Sequence, residues 1–392
     1  MEAWLVPGLR ALALLGIGLS LGRLLANHLL TWRHLVTLRR EQAALPAACP
    51  PVSVLKPVRG IDQSAETNYT SFFHLAYPAP YEVLFCVEDE DDPAVPLIEK
   101  VRRAHPDVPS RLIVSRRDPG WLGKAANLIA GVEASRYEAL ALSDSDVRAS
   151  PDLLTVLVRP LADPKVGLSF GCPAYREPRN WVAALMALAV NESMTGVVSR
   201  FALGRRDVGI GATMVLRRAA LQAIGGLEPL ANRVGLDASL GRAVARAGYV
   251  VALIPEPVPI IHHHDTFGHW WRHLHRWLVT IRCYLPRLYA LGIIAEAGLP
   301  CAGLLVLLGP RRVGVTLVGV VVLARMASGW AVNRWFTRDP QVGRWLWLAP
   351  VLDLLRIPLW LHGYLSRQVP WRGRWLVVRR DGTAVGRDAA RG

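Results

Sequence analysis

The chain has 392 residues, of which 52% are hydrophobic and only 20% charged, and its mean hydropathy is positive. Lys and Arg total 46 against 31 Asp and Glu, so the formal net charge is +15. This composition excludes a disordered chain and argues against a purely soluble protein. The charge suits an anionic membrane face or a phosphorylated substrate, whereas a nucleic-acid binder conflicts with the hydropathy and with the lack of a basic-aromatic module. Five scattered cysteines give no disulfide framework and no Cys-x-x-Cys pair, which indicates a reducing compartment.

The first apolar segment predicts a membrane anchor over residues 1–35. Residues 5–30 are apolar except for the small Ser20 and four larger polar side chains, Arg10, Arg23, Asn27 and His28. This run is too long for the apolar region of a signal peptide. A helix of about 20 residues spans the hydrocarbon core, although a buried core helix is the alternative. Arg33, Arg39 and Arg40 follow at once, so the positive-inside rule predicts that the next part of the chain lies on the cytoplasmic face.

Residues 50–285 have the pattern of an α/β domain, in which short buried strands alternate with helical stretches. The predicted strands are Val52–Lys56, Val83–Val87, Ala139–Ser143, Val166–Phe170 and Met214–Leu216. Helices are predicted between them, for example over Pro96–Ala104 and Lys124–Ala134. Alternation at this spacing predicts an open sheet whose ligands bind beyond the carboxyl ends of the strands.

Beyond Pro286 the apolar character returns in three segments near membrane length, Leu288–Leu308, Val313–Ala331 and Trp345–Leu365. Trp and Tyr lie near their ends, as expected at a membrane interface. We expect membrane segments over residues 286–366 and a basic cytoplasmic tail over residues 367–392. Three spans after a single anchor would place that tail outside, so we expect Leu288–Leu308 to be re-entrant or interfacial.

Acidic side chains follow two of the predicted strands. Asp144 and Asp146 form an Asp-x-Asp directly after Ala139–Ser143. Such a pair can hold Mg²⁺ or Mn²⁺ against a diphosphate, because Mg²⁺ takes one or two protein carboxylates and completes its shell with phosphate and water; a structural turn is the alternative. Five acids at positions 88–92 follow Val83–Val87, where they could bind a base or ribose or form a solvated loop.

Two later segments could complete a catalytic site. Asp237 stands at the head of a helical run over residues 239–247, where it could cap the helix or act as a general base for an acceptor hydroxyl. In the segment 270–277, Arg276 could brace a diphosphate leaving group and Trp277 could wall an acceptor pocket. That segment is also typical of an amphipathic helix on a membrane interface.

Three more motifs have simpler interpretations. Consecutive side chains on a strand point to opposite faces, so the run His262–His264 predicts a turn with at most one useful imidazole. Residues 181–201 predict a buried or interfacial helix beside which a lipid could lie. Gly209-Ile210-Gly211-Ala212 lacks the spacing of a nucleotide fingerprint.

Taken in order, these motifs resemble the ceramide glucosyltransferase family, glycosyltransferase family 21, within the family 2-like enzymes of the GT-A fold. The resemblance covers nearly the whole chain and is carried by the anchor and by Val54–Gly60, Tyr81–Asp89, Asp91–Pro93, Lys124 with Asn127 and Leu128, Asp144-Ser145, Arg217, Gly225–Leu227 and Trp371–Arg374. It implies an α/β GT-A (Rossmann-like) domain over residues 50–285 with N-terminal and C-terminal transmembrane helices.

The family is described by three catalytic aspartates and a Q/R-x-x-R-W sequence. The resemblance implies that Asp92 (with Asp89 close by), Asp144 and Asp237 are these aspartates, and that the motif falls on His273, Arg276 and Trp277. Nucleotide binding is expected from Lys56, Asp89, Asp92, Lys124 and Asp144, and divalent-ion binding from Asp144 and Asp146. His273 stands where Gln or Arg is usual, and Leu236 precedes the third aspartate where an acid is common. His273 and the run from Arg276 to Arg282 also resemble bacterial hopanoid-pathway glycosyltransferases.

The expected function is an inverting transfer of a hexose from UDP-glucose or UDP-N-acetylglucosamine to the hydroxyl of a ceramide-like or hopanoid lipid. The protein is expected to be integral to a membrane, the bacterial inner membrane if prokaryotic, with its catalytic domain on the cytoplasmic face. The bilayer, the UDP-sugar and the lipid acceptor are the expected partners, and nucleic acid is not. A processive polysaccharide synthase and a non-catalytic membrane-bound UDP-sugar sensor are the alternatives.

Overall fold

The computed structural model describes residues 2–46, 49–115, 122–262, 266–371 and 374–386. The strands in this part of the chain are β1 Val52–Pro57, β2 Tyr81–Val87, β3 Ser110–Val114, β4 Ala139–Ser143, β5 Val166–Phe170, β6 Pro173–Tyr175, β7 Thr213–Arg217, β8 Val250–Leu253, β9 Val258–Ile260, β10 Gln368–Trp371, β11 Arg374–Val378 and β12 Ala384–Gly386. The helices are α1 Glu2–Ala44, α2 Ala65–Ser71, α3 Val95–Ala104, α4 Gly123–Ala134, α5 Leu153–Val158, α6 Trp181–Ala202, α7 Arg218–Ala223, α8 Leu236–Arg246, α9 Phe267–Tyr284, α10 Pro286–Glu296, α11 Gly298–Leu308, α12 Arg311–Val332, α13 Pro340–Gly343 and α14 Ala349–Leu365.

Seven strands form a mixed central sheet in the order β3-β2-β1-β4-β7-β5-β8. β7 runs antiparallel to both of its neighbours, and the remaining pairs are parallel. Helices cover both faces of a parallel sheet, so its strands read as continuous apolar runs. Every residue of β1 and β4 is buried accordingly. All five predicted strands are present.

The parallel register brings three loops to one edge of the sheet. Leu55 of β1 pairs with Leu84 of β2 on one side and with Leu142 of β4 on the other. The chain therefore leaves β1, β2 and β4 at the same level, and the loops after residues 57, 87 and 143 become neighbours. Ligands of an open α/β sheet bind at this edge.

The helices at the two ends of the chain are exposed and apolar. Four described segments are long and apolar enough to cross a membrane, namely Leu5–Ala44, Trp181–Ala202, Pro286–Leu308 and Arg311–Thr337. Large leucines on α1 lie exposed, with Leu5 at 61% and Leu25 at 61%. Trp181–Ala202 differs because most of α6 is buried, as the sequence predicted. The segment expected to be re-entrant is interrupted at Ala297, between α10 and α11; its path in the membrane stays a prediction.

Charges that the sequence shows as isolated meet inside the helix bundle. Arg325 of α12 forms ion pairs with Glu192 of α6 and, at 2.6 Å, with Asp353 of α14. Arg356, one turn further along α14, lies 3.1 Å from Glu192 and 3.3 Å from Glu296 of α10. Arg325 and Asp353 are 5% and 1% exposed. This buried network ties four helices together.

Part of the predicted basic tail is folded. β10, β11 and β12 form a small antiparallel sheet. Its last hairpin joins the α/β domain, where Val234 N donates to Gly382 O at 2.9 Å. The hairpin around Gly382 thereby lies beside the start of α8, which carries Asp237.

Candidate active site

Two carboxylates and a lysine from three separate elements meet at the carboxyl edge of the sheet. Lys124, near the start of α4, places its Nζ 2.6 Å from Asp144 Oδ1 and 3.4 Å from Asp237 Oδ1. Asp144 follows β4, and Asp237 lies in the first turn of α8. Burial alone would lower the pKa of Lys124, but the two carboxylates outweigh it and raise the pKa. Lys124 therefore stays protonated between the two acids.

The carboxylate of Asp237 is oriented by the main chain of a glycine. Gly211 N donates to Asp237 Oδ2 at 3.1 Å. A Cβ on residue 211 would lie 2.7 Å from Asp237 Cγ, so the approach requires glycine. The cap position of α8 is occupied by Gly235 at φ 73°. The interpretation of Asp237 as a helix cap is therefore wrong, and its side chain faces Lys124 instead.

Lys56 supports the Asp-x-Asp turn from inside the domain. Its Nζ donates to Asp144 O at 2.9 Å and lies 3.7 Å from the centroid of the Phe72 ring. The side chain is fully buried, and this burial lowers the pKa of Lys56 to about 7 against the attraction of Asp144 and Asp146. These contacts are those of a group that positions the turn.

Asp146 has the features of a cation ligand. Its Oδ1 is buried and has no hydrogen-bond partner among the described residues, while its Oδ2 lies 3.7 Å from His262 Nδ1. Burial, together with the charge of Asp144, raises the pKa of Asp146 to about 6. Asp62 Oδ1 lies 3.8 Å from the same His262 nitrogen. His263, His264 and Asp265 lie outside the described residues.

These residues fit a divalent ion that takes only some of its ligands from the protein. Within the described ranges no three His, Cys, Asp or Glu side chains are arranged as a complete metal site. Asp144 and Asp146 would supply one or two carboxylates, and Mg²⁺ commonly takes its remaining ligands from phosphate and water. The orphaned Asp146 Oδ1 is the observation that favours the ion.

The acids that follow β2 lie in two different environments: some bind the main chain of nearby loops, and one lies against α4. Asp92 accepts hydrogen bonds from Gly60 N at 3.0 and 3.1 Å, and is 9% exposed. Asp89 Oδ1 accepts from a main-chain N–H two residues on. Glu88 lies against the start of α4, because a Cβ on Gly123 would come within 1.4 Å of Glu88 Oε1. In this structure Asp92 and Asp89 hold the loop, and Glu88 is the member of the run nearest to α4. The nucleotide roles of Asp89 and Asp92 stay predictions.

The predicted arginine-tryptophan motif lies on α9. Arg276 Nη2 is 3.5 Å from His273 Nε2, and the rings of His273 and Trp277 are 5.4 Å apart. Arg276 also acts electrostatically on Tyr175. Burial and the nearby Asp146 raise the pKa of the Tyr175 phenol, and the positive charge of Arg276 partly offsets this rise. Arg276 is therefore on the side of the domain where the acids lie.

The structure brings Lys124, Asp144 and Asp237 into direct contact and places Asp146 two residues from Asp144. Sequence reasoning missed Gly211, whose segment was considered only as a nucleotide fingerprint. It also missed Asp62, which has no motif around it and is brought to Asp146 by the loop after β1. A glycine just before a predicted strand was the one signal for Gly211.

The fold and the site define an α/β protein with apolar helices long enough to cross a membrane, whose sheet presents paired carboxylates and a lysine at its carboxyl edge. Residues 16–384 match the sequence profile described as Glycosyl transferase family 21. The chain belongs to this family, so the resemblance stated from the motifs is confirmed. The predicted fold class is confirmed in its α/β domain with a mostly parallel sheet, which is accompanied by apolar helices at both ends.

Two relatives illustrate the extent of the likeness. Ceramide glucosyltransferase 1 of Caenorhabditis elegans is 24% identical over 233 residues, which cover 56% of this chain and 49% of that protein. Ceramide glucosyltransferase of Komagataella phaffii is 32% identical over 113 residues, which cover 28% of this chain and 22% of that protein. The chain thus spans about half the length, or less, of the curated relatives it matches.

Among solved structures, a mannosyltransferase from Pyrobaculum calidifontis in complex with GDP-Man and Mn²⁺ is similar, with a TM-score of 0.48 and 17% identity. The alignment covers 91% of this chain and 98% of that chain.

Proposed function

We propose that this protein transfers a hexose from a UDP-sugar to the hydroxyl of a membrane lipid, with inversion, in one direct displacement. The observation that carries the proposal is the contact of Lys124 with both Asp144 and Asp237, in a member of a glycosyltransferase family. UDP-glucose or UDP-N-acetylglucosamine is the donor, and a ceramide-like or hopanoid lipid is the acceptor. The names of the relatives support glucose and ceramide within these pairs.

Asp237 is the general base in this mechanism. It takes the proton of the lipid hydroxyl as that oxygen attacks the anomeric carbon, and the bond from this carbon to UDP breaks with its electrons passing to the diphosphate. Positioned proton transfer of this kind accelerates a reaction about 10²–10⁴-fold. Gly211 and Lys124 fix the orientation that it needs.

The leaving diphosphate is stabilised by positive charge around it. Asp144 and Asp146 would hold Mg²⁺ or Mn²⁺, which when bound neutralises charge on the diphosphate. Arg276 adds a guanidinium that can give charge-assisted hydrogen bonds to phosphate, with Trp277 and His273 beside it. Lys124 supplies a further cation at this edge of the sheet while it keeps its contacts with Asp144 and Asp237.

The apolar helices hold this cleft at the level of the lipid headgroups, on the cytoplasmic face of the membrane. A lipid acceptor keeps its tails in the bilayer, so the enzyme has to reach its hydroxyl at the surface. Each basic group near an anionic leaflet contributes about 1 kcal/mol to this placement.

Lipid mass spectrometry of cells with and without the protein tests the proposal. Wild type should add a monoglycosylated lipid, and Asp237→Asn should not. Asp107→Asn is the matched control, because Asp107 is an exposed acid after α3 and should leave the product unchanged. Equal product from Asp237→Asn would contradict the base assignment. Polymer would indicate a synthase, and nucleotide binding without any product would indicate a sensor.

A further inference from the structure

A separate cavity lies where α1, α6 and the end of α12 meet. The space inside it that is open to the centre of a water molecule is about 130 Å³, well above the roughly 10–15 Å³ that one water needs on this measure. Its apolar wall includes Leu35 of α1, Met194 and Val198 of α6, Val332 at the end of α12, and Phe336 in the turn Asn333–Thr337 that follows. The cavity has room for part of a headgroup or the start of an acyl chain, and not for a whole lipid.

Three arginines surround this apolar wall. Arg39 comes from α1, and Arg334 and Arg338 come from the turn that follows α12. All three are exposed, and in the described ranges no carboxylate forms an ion pair with any of them. Like charges around one cavity repel one another, so an anion placed between them is stabilised. Guanidinium groups are well suited to phosphate because they donate two parallel hydrogen bonds.

The cavity lies at the expected height of the lipid headgroups. A span of about 20 residues that starts near Leu5 ends near residue 25, and α1 continues beyond it as a helix to Ala44. The cavity is lined by α1 between His28 and Arg39, just past that span. Trp32 and Trp335 also line it and are 52% and 40% exposed, which is typical of side chains at a membrane interface.

The backbone that carries Arg338 is held in an uncommon conformation. Arg338 has φ 53°, a region that costs energy for a residue other than glycine. Asn333 fixes the turn, since its Nδ2 donates to Asp339 O at 2.8 Å and its Oδ1 accepts from Asp339 N at 3.1 Å. Asp339 Oδ2 in turn accepts from Glu177 N at 2.6 Å, just beyond β6. The same turn thus joins the arginines to the domain that contains the cleft.

We propose that this cavity binds the phosphodiester headgroup of an anionic glycerophospholipid, whose acyl chains run along the exposed apolar faces of α1 and α12. Basic pockets between membrane helices on the cytoplasmic side bind such headgroups. The observations behind this site are the cavity, its three arginines and its height at the interface. It does not depend on which sugar or lipid the cleft uses.

Native mass spectrometry of the purified full chain in neutral detergent tests the site, with phosphatidylglycerol as the probe and phosphatidylcholine as the neutral comparison. Arg39→Gln with Arg334→Gln removes two charges from the cavity. Arg33→Gln with Arg40→Gln removes two exposed charges from α1 that do not line it. The cavity pair should weaken phosphatidylglycerol binding about 30-fold, and the control pair less than threefold.

If the cavity pair and the control pair of variants lost phosphatidylglycerol binding equally, the site would be overturned in favour of diffuse attraction to the basic surface. Equal retention of phosphatidylcholine and phosphatidylglycerol by the wild type would also overturn it. Displacement of phosphatidylglycerol by a neutral acceptor lipid such as ceramide would assign the cavity to the acceptor instead. Thermal unfolding of each variant confirms that the exposed substitutions leave the fold intact.

Discussion

Replacement of Gly211 by alanine tests the geometry around the proposed base. The added Cβ would lie 2.7 Å from Asp237 Cγ and 2.9 Å from Oδ2, whereas ordinary contacts begin at 3.4 Å. The carboxylate therefore has to move by about 0.7 Å, the difference between 3.4 and 2.7 Å, and the hydrogen bond from Gly211 N is strained or lost. A displacement near 1 Å at a reacting group can cost about 10²-fold in rate. We expect Gly211→Ala to lower kcat about 30- to 100-fold.

The assay is transfer from a radiolabelled UDP-sugar at saturating lipid, together with the KM for the donor. The three atoms nearest to the added Cβ all belong to Asp237, so the donor KM should stay within about threefold. Gly196→Ala is the matched control, because nothing lies within 4 Å of a Cβ there and alanine suits the interior of α6. A Gly211→Ala enzyme with wild-type kcat would refute the argument that Asp237 must hold this position.

Three further outcomes follow from buried charge. Arg325→Met leaves Asp353 buried without its cation and should reduce the free energy of unfolding in mixed micelles by about 3–5 kcal/mol; a loss no larger than that of the exposed Arg312→Met would contradict the network. Burial lowers the pKa of Lys56 in the folded protein to about 7, whereas in the unfolded chain this lysine keeps its ordinary pKa. Between about pH 7 and 10 the unfolded chain therefore binds one proton more than the folded protein, and the free energy of unfolding should rise with pH over that range. Lys56→Met should flatten this rise in thermal unfolding, and an unchanged slope would reject the assignment. Because the pKa of Asp146 is raised to about 6, stabilisation by UDP with Mn²⁺ should be strong near pH 8, weak near pH 5 and absent in Asp146→Asn; stabilisation of that variant equal to wild type would exclude Asp146 as a ligand.

Local patterns predicted five of the nine strands that the structure describes in the α/β domain. Runs such as Val83–Val87 are apolar on both faces and are followed by polar residues, which distinguishes buried parallel strands from most other structure. The acids after β2 and β4 were then assigned to one edge, because parallel strands end at the same side of a sheet. The family resemblance assigned Lys124 and Asp144 to nucleotide binding, whereas their direct contact emerged only from the structure.

Contacts between distant segments were beyond the sequence. Nothing local to Gly211 shows that Asp237 lies against its main chain, since 26 residues separate them. Arg325 and Asp353 appeared as isolated charges in apolar segments, and their pairing depends on how α12 and α14 pack. The acidic run gave five candidates, from which the resemblance selected Asp89 and Asp92, and only the position of the α4 start singled out Glu88.

The central claim is that one cleft joins a sugar nucleotide to a lipid hydroxyl through Asp237. The most direct measurement is a single-turnover reaction of the purified protein in lipid nanodiscs, in which glycolipid formation and its anomeric configuration are followed together. We predict that wild type forms a monoglycosylated lipid of inverted configuration, and that Asp237→Asn binds the UDP-sugar normally but reacts about 10²–10⁴-fold more slowly. A product of retained configuration, or an Asp237→Asn enzyme that reacts at the wild-type rate, would contradict the claim.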